Sequence, residues 1–513
     1  MKQIRKNLVT NILCLGTNVI VGILYTPYLV RVLGVVTYGV LPLAWTFNQY
    51  IIILTDSLQN SVTRFYSVAY RKGNYTQASQ YFSSTIGVSL LLICCIIPLL
   101  CFLISPLENI LNIPEELFQS VGYLIIYTVA SLLASLISNC VNITIYSENR
   151  LDLLNYLKII RNLAKFLINI LLFVKVSTDV SNVGLASLIA EVIILFVSIV
   201  FYKKTKHKEI VFHENFISFA AMKPITKMLL WVMIIALSSV IIYKTDAILV
   251  NNYFGLYYTG VLGSMSEFCS YCICITGLIG VLYRPLMLIA YSEGRHEDLV
   301  RVASDGAYIS GLLSSFLCGI VMGLSTPLLK IWLNDEISQY SLWLVIKLLI
   351  IPITTYGSTY SIVYNLWNRV RSSALWSIAI SLLYVAVSVV LLEIGIGMTT
   401  FLIIGCISAI AQGTVLHIII YKSIYPESMK LVYVKLVKCC LFFAAVFILS
   451  KIVAFCIQPS NIITLLLGAG ISALFILCIT PLFIRGRDID ALDVVVPVKS
   501  LFAKCNSLIQ HIK

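Results

Sequence analysis

Fourteen runs of about twenty apolar residues follow one another along the chain. They lie at 8–30, 39–60, 82–105, 118–143, 157–176, 182–202, 228–252, 257–283, 304–326, 340–363, 373–393, 398–421, 432–456 and 461–484. A run of that length crosses the hydrocarbon core of a bilayer as one helix. In lipid the backbone must satisfy its own hydrogen bonds, which leaves helices or closed barrels. Ten-residue alternating segments, the mark of a barrel, are absent from the sequence. Only 12% of residues are charged and 59% are hydrophobic, whereas a soluble chain carries about a quarter charged residues. The sequence therefore predicts an all-α, polytopic membrane protein with about 14 transmembrane helices.

The basic residues orient these helices. Thirty of the 36 Lys and Arg fall in segments on the side of the amino terminus, including Lys158, Arg161 and Lys165 as part of the segment that begins at Arg150. Four (Arg31, Lys175, Lys330 and Lys451) fall on the other side, and Lys244 and Lys347 fall inside runs. Cytoplasmic loops are the ones enriched in Lys and Arg. Both termini are thus expected in the cytoplasm, with the first run a membrane helix and not a cleaved signal. The net charge of +13 is spread between the runs without a continuous stripe, so no nucleic-acid partner is expected. Most of the 15 cysteines lie inside apolar runs and read as small apolar fillers. The pair Cys272 and Cys274 is a weak metal signal, and the five histidines are scattered, so neither a zinc site nor any other metal is expected.

A shift of 221 residues superimposes two stretches without a gap. Gly34, Gly39, Val40, Leu41, Phe47, Tyr50, Ile52, Thr55, Ala69, Tyr70 and Gly73 meet Gly255, Gly260, Val261, Leu262, Phe268, Tyr271, Ile273, Thr276, Ala290, Tyr291 and Gly294. A looser echo pairs Asn149-Arg150 with Asn368-Arg369. The shift passes six runs, an even number, so the copies share an orientation and an axis along the membrane normal. The expected organisation is an amino-terminal lobe at 1–215, a carboxy-terminal lobe at 216–425, two further helices at 426–484 and a cytoplasmic tail at 485–513. Leu501, Leu508, Ile509 and Ile512 with Lys504 and Lys513 make an amphipathic surface helix of that tail.

Short motifs then carry a resemblance. Leu33-Gly34-x-x-x-Tyr38-Gly39 follows Arg31, with Asp56-Ser57-Leu58, Arg64-Phe65 and Arg71-Lys72-Gly73-Asn74 after it. Thr245-Asp246 and Phe254-Gly255 open the second copy, and Ile331-Trp332-Leu333 follows. In this order they resemble the polysaccharide-transport branch of the multidrug/oligosaccharidyl-lipid/polysaccharide exporter superfamily. The resemblance implies a MATE-like pair of six-helix lobes that flips oligosaccharide repeat units linked to an undecaprenyl-pyrophosphate-type lipid. The setting would be a bacterial inner membrane, in the synthesis of O-antigen, capsule or exopolysaccharide, with a polysaccharide polymerase and chain-length proteins as possible partners. Lipid II flippases of the superfamily tend to carry Thr-Asp-Ala where Tyr38-Gly39-Val40 stands here. Drug exporters tend to carry an acidic residue in the first helix, and 8–30 has none.

Charges in or near the runs are the candidate transport residues, because a charge at mid-bilayer must face a cavity or a partner. Lys244 and Lys347, with Arg31 and Arg64 near the mouths, could draw in the pyrophosphate. Asp56, Asp246 and Glu267 are candidates for coupling a proton or sodium ion. Asn18, Asn48 and Gln49 could line a wet cavity, or equally join helices. All of these charges, Glu191 among them, can also be read as pairs that fix helix register, and Gly319 and Gly323 as a packing pair. Lys244 and Asp246 are expected on one helix, two apart, and so unable to pair by stacking.

No G-x-x-x-x-G-K-[ST] loop occurs, so no nucleotide hydrolysis and no cofactor are expected. One charge crossing the membrane gains about 2.3 kcal/mol per 100 mV, and a diphosphate moving outward would draw on twice that. The rival readings are a cation-coupled small-molecule antiporter of the same superfamily and a membrane polysaccharide polymerase. The polymerase would need a large catalytic loop or a polar cluster at one face, and the sequence offers neither.

Overall fold

The computed structural model describes residues 2–104, 112–205, 219–367, 369–484 and 488. The expected tail helix at 499–513 lies outside them. Among the described residues every regular element is helical. The main ones are α1 (Lys2–Leu33), α2 (Val40–Arg71), α3 (Tyr75–Ile104), α4 (Phe118–Ser147), α5 (Leu151–Lys175), α6 (Ser181–Thr205), α7 (Phe219–Lys244) and α8 (Asp246–Phe254). After them come α9 (Leu256–Ser292), α10 (His296–Gly323), α11 (Ser341–Leu366), α12 (Val370–Glu393), α13 (Met398–Ile410), α14 (Met429–Ile457) and α15 (Ile462–Phe483). A π-helical turn at Ala411–Val415 carries α13 on into Leu416–Lys422.

Eleven described helices are long and apolar enough to cross a membrane, or twelve if the bent α9 is one span. The protein is a multi-pass membrane protein. That measure stops short of fourteen: α2 is too polar, and α5 holds three cations, Lys158, Arg161 and Lys165, within eight residues.

The helices form two compact units, Met1–Ser264 and Met265–Lys513. In the first, α4 packs along α6, α5 along α6 and α1, and α7 against α2. In the second, α10 packs along α14 and α11. The boundary falls inside α9, so α7, α8 and the first turns of α9 group with the six helices before them. The border at 215/216 is a statement about the repeat, not about this packing.

Within the first unit the two repeat copies meet. Gly34 (φ 78°, ψ 157°) and Gly255 (φ 93°, ψ 174°) hold the same conformation, one that side chains with a Cβ rarely adopt. Each turns the chain into the next helix, with Tyr38 N–H donating to the Gly34 carbonyl and Thr259 N–H to the Gly255 carbonyl. The copies then touch backbone to backbone. A Cβ on Gly39 would strike the Leu256 carbonyl oxygen, and one on Gly260 would strike the Val35 carbonyl oxygen. A Cβ on Gly263 would overlap the ring of Pro42. Val35, Gly39 and Pro42 shifted by 221 are Leu256, Gly260 and Gly263, so the contacts are reciprocal, as a two-fold relation between the copies requires.

In the second unit, Gly319 and Gly323 admit α14: a Cβ on either would collide with Val446 or Ser450. These glycines are packing positions. Lys435 of α14 pairs with Asp305 of α10 at 2.5 Å and lies over the Tyr308 ring. Tyr356 of α11 donates to the Val432 carbonyl at 2.6 Å. Helix α14 is thus built into the unit's core.

Candidate functional site

The site grows from the way α5 lies on α1. The two helices run in the same direction and meet in constant register. The backbone N–H of Asp152 donates to Asn7 at 3.1 Å, Asn155 donates to Thr10 at 3.3 Å, and Asn162 donates to Asn18 at 3.1 Å. Toward the other end the contacts become aromatic, Phe166 on Tyr25 and Phe173 on Tyr28. At the amino-terminal end Asp152, fully buried, gathers Lys6 at 2.7 Å, Arg150 at 3.2 Å and the Gln3 amide at 2.7 Å. This cluster fixes the start of α1 against the start of α5.

Between the polar and aromatic ends sit three cations. Lys158, Arg161 and Lys165 follow at i, i+3 and i+7, which places them on one helix face. They lie 7, 10 and 14 residues beyond Leu151, or about 10, 15 and 21 Å along the helix at 1.5 Å per residue. Lys158 is exposed. The Lys165 ammonium stands 6.0 Å from the Trp45 ring centroid of α2. Arg161 grips Glu191 of α6: Nη2 donates to Oε1 at 3.0 Å and Nε lies 2.7 Å from Oε2. The pair is lopsided, since the Arg161 side chain is 32% exposed and that of Glu191 only 4%.

The positive-inside tally counts Lys158, Arg161 and Lys165 with a cytoplasmic segment, whereas the structure places all three within one continuous helix that starts at Leu151. The signal that could have found them was their spacing inside the run 157–176.

The residues singled out from sequence are dispersed. Arg31 is exposed at the end of α1, and Asn18 is exposed but joined to Asn162. Asn48 is buried and Gln49 half-buried on α2. Asp56 and Arg64 also lie on α2, but their side chains fall outside the described residues. Lys244 and Asp246 do not share a helix: the chain breaks at Thr245, so that Lys244 ends α7 and a buried Asp246 begins α8. Two residues of α2 hold the break. Thr46 donates to the Lys244 carbonyl at 3.2 Å, and the Tyr50 hydroxyl lies 2.8 Å from the Thr245 hydroxyl. Glu267 on α9 and Lys347 on α11 are half-buried in the second unit. Among the described residues no group of three His, Cys, Asp or Glu could hold a metal ion.

A family model described as "Polysaccharide biosynthesis protein" matches residues 4–284. The chain belongs to this family. Among its relatives is EpsK, an uncharacterized membrane protein of Bacillus subtilis (strain 168), 25% identical over 393 residues that cover 75% of each chain. The fold is shared with solved transporters. A structure of the lipid II flippase MurJ in an inward closed conformation matches with a TM-score of 0.68 at 16% identity, covering 93% of this chain and 98% of that one. An inward-facing MATE-family multidrug transporter of the MOP superfamily matches with a TM-score of 0.68 at 15% identity, covering 80% and 95%. This polysaccharide-biosynthesis family member therefore has a MATE-like fold.

Proposed function

We propose that the chain is a flippase that carries oligosaccharide repeat units, linked to a polyprenyl diphosphate of the undecaprenyl type, across the bacterial inner membrane for surface polysaccharide synthesis. The observation that carries this reading is the row Lys158, Arg161 and Lys165 along one face of α5, with Arg161 joined to Glu191 in the middle of α6. Charged side chains at membrane depth are costly and mark substrate or ion paths. A diphosphate supplies one, and guanidinium and ammonium groups bind phosphate through charge-assisted hydrogen bonds. The neighbouring amides of Asn18 and Asn162 suit sugar hydroxyls.

Lobes at 1–215 and 216–425 would move as the two halves of an alternating-access cycle, with both termini in the cytoplasm. The seam of Gly39 and Gly260 then lies at the outer end of the helices. Arg31, Arg64, Lys244 and Lys347 remain candidates for guiding the diphosphate, and Asp56, Asp246 and Glu267 for ion coupling. A polymerase and chain-length proteins would take up the product.

The test is deletion of the gene in its host, with surface polysaccharide and lipid-linked intermediates analysed. Loss of one polymer with its repeat unit retained on the cytoplasmic face is the expected outcome. Intact polysaccharide with altered resistance to cationic drugs would instead support the small-molecule antiporter.

A further inference from the structure

The ion pair between Arg161 and Glu191 joins a reachable cation to an unreachable anion. The Arg161 side chain is a third exposed although its Nε is buried, while the side chain of Glu191 behind it is almost wholly enclosed. Lys158 precedes Arg161 by three residues and Lys165 follows it by four. An anion held by both lysines must therefore lie across Arg161. A guanidinium forks onto a phosphate as well as onto a carboxylate, and a diphosphate brings more charge than Glu191 does.

We propose that a polyprenyl diphosphate draws Arg161 away from Glu191 and that Glu191 then takes up a proton, so that substrate and proton bind together. This rests on the flippase reading. The step balances simply: an N–H···O pair is exchanged for a phosphate pair, and a proton from water forms an O–H bond on Glu191. An ionised carboxylate left alone in a dry interior is far costlier than the neutral acid. Among the described residues, the helices packed along α6 hold no substitute cation for Glu191. Helix α4, packed along α6, carries no charged side chain between Phe118 and Ser147, and its titratable groups are Tyr123, Tyr127, Cys140 and Tyr146. On α5 the only charged groups near that level are Lys158, Arg161 and Lys165, which the diphosphate engages. On α6 itself the next charges are Lys203 and Lys204, three turns further on. Uptake of one proton lowers the charge carried outward with the substrate by one.

The full-length protein, purified in detergent, is titrated with farnesyl diphosphate by calorimetry in buffers of different ionisation enthalpy, at about pH 8. The expected result is about one more proton taken up per diphosphate by the wild type than by Glu191→Gln, with the variant still binding. Equal proton counts overturn the proposal and leave the flippase reading standing. Wild-type binding no tighter than that of uncharged farnesol overturns both. Should Glu191→Gln fail to fold, the wild type alone decides. Its affinity must fall about tenfold for each unit of pH above 8, and a flat profile overturns the proposal.

Discussion

Helix α5 and helix α12 hold corresponding places in the two halves of the chain, and their chemistry is opposite. The echo of Asn149-Arg150 in Asn368-Arg369 aligns them at a shift of 219. Where α5 has Lys158, Arg161 and Lys165, α12 has Ser377, Ile380 and Tyr384. Between Arg371 and Glu393, α12 carries no charge at all, and Ser373, Ser377, Ser381, Tyr384 and Ser388 are buried. A duplicated scaffold has kept its backbone plan and specialised one copy. Under the proposed function, a substrate with a single diphosphate needs one cationic row, which leaves the second copy free to use the same positions for close packing.

Four sets of substitutions compare the two copies, in order of expected effect. The largest is Arg161→Ala, which strands Glu191. It should lower stability by about 3 kcal/mol, toward the low end for a broken buried pair because Arg161 is partly exposed. Ile380→Ala, at a half-buried position of the uncharged copy, should cost about 1–2 kcal/mol, below the range for a fully buried isoleucine. Thermal unfolding of the purified protein measures both. The double change Arg161→Met with Glu191→Leu should recover most of that stability while transport stays lost, since an apolar pair of similar volume can replace a buried ion pair.

Next comes Lys158→Gln together with Lys165→Gln. Each lysine lost removes a charged hydrogen bond to phosphate of about 1.5–3 kcal/mol. Affinity for farnesyl diphosphate should fall about tenfold or more per lysine. Ser377→Ala should leave it within about twofold. Equal losses from the two copies would refute the idea that only one is specialised.

At the glycine seam the copies should behave alike. Gly39→Ala and Gly260→Ala each place a methyl on a backbone carbonyl of the other copy and should each destabilise by about 1–3 kcal/mol. Because one small displacement relieves both clashes, the double variant should cost less than their sum.

The smallest effect is expected at Asp179, just before α6. It accepts from the Ser120 hydroxyl at 2.5 Å and from the Ser181 backbone N–H at 2.7 Å. Burial pushes its pKa up, but these hydrogen bonds outweigh burial and hold its carboxyl below the ordinary value. The stability it adds is therefore present above the ordinary carboxylate range near about pH 3.9 and is lost as pH falls through the lower folded value. Asp179→Asn should remove that slope and cost about 1 kcal/mol at neutral pH. The corresponding start of α13, after Gly397, has no side-chain cap and should show no such slope.

The membrane fold was legible because lipid enforces one rule on every residue of a span, and each apolar run lies on or across a described helix. The repeat was legible for a related reason: Gly34, Gly39, Gly255 and Gly260 are set by backbone geometry and steric contact, which few residues satisfy. The site was much less so. Lys158, Arg161 and Lys165 look like loop charges until the helix is seen to begin at Leu151, since basic residues mark the cytoplasmic ends of spans and their interiors alike. Glu191 drew notice as a buried charge, but its partner is thirty residues away, and sequence spacing does not reveal inter-helix contacts. The break at Thr245 depends on the hydroxyls of Thr46 and Tyr50, and no local Gly or Pro announces it.

The pairing of α10 with α14 has a consequence for how the chain is made. Asp305 leaves the ribosome 130 residues before Lys435. At about 5–20 residues per second, that is an interval on the order of ten seconds. Through it, α10 waits in or beside the insertion machinery with an acidic group and a row of glycines whose partner has yet to be synthesised. Chains that stall or are cut before Lys435 should therefore be recognised as unfinished and degraded, which makes the arrival of α14 a late checkpoint in the biogenesis of the second unit.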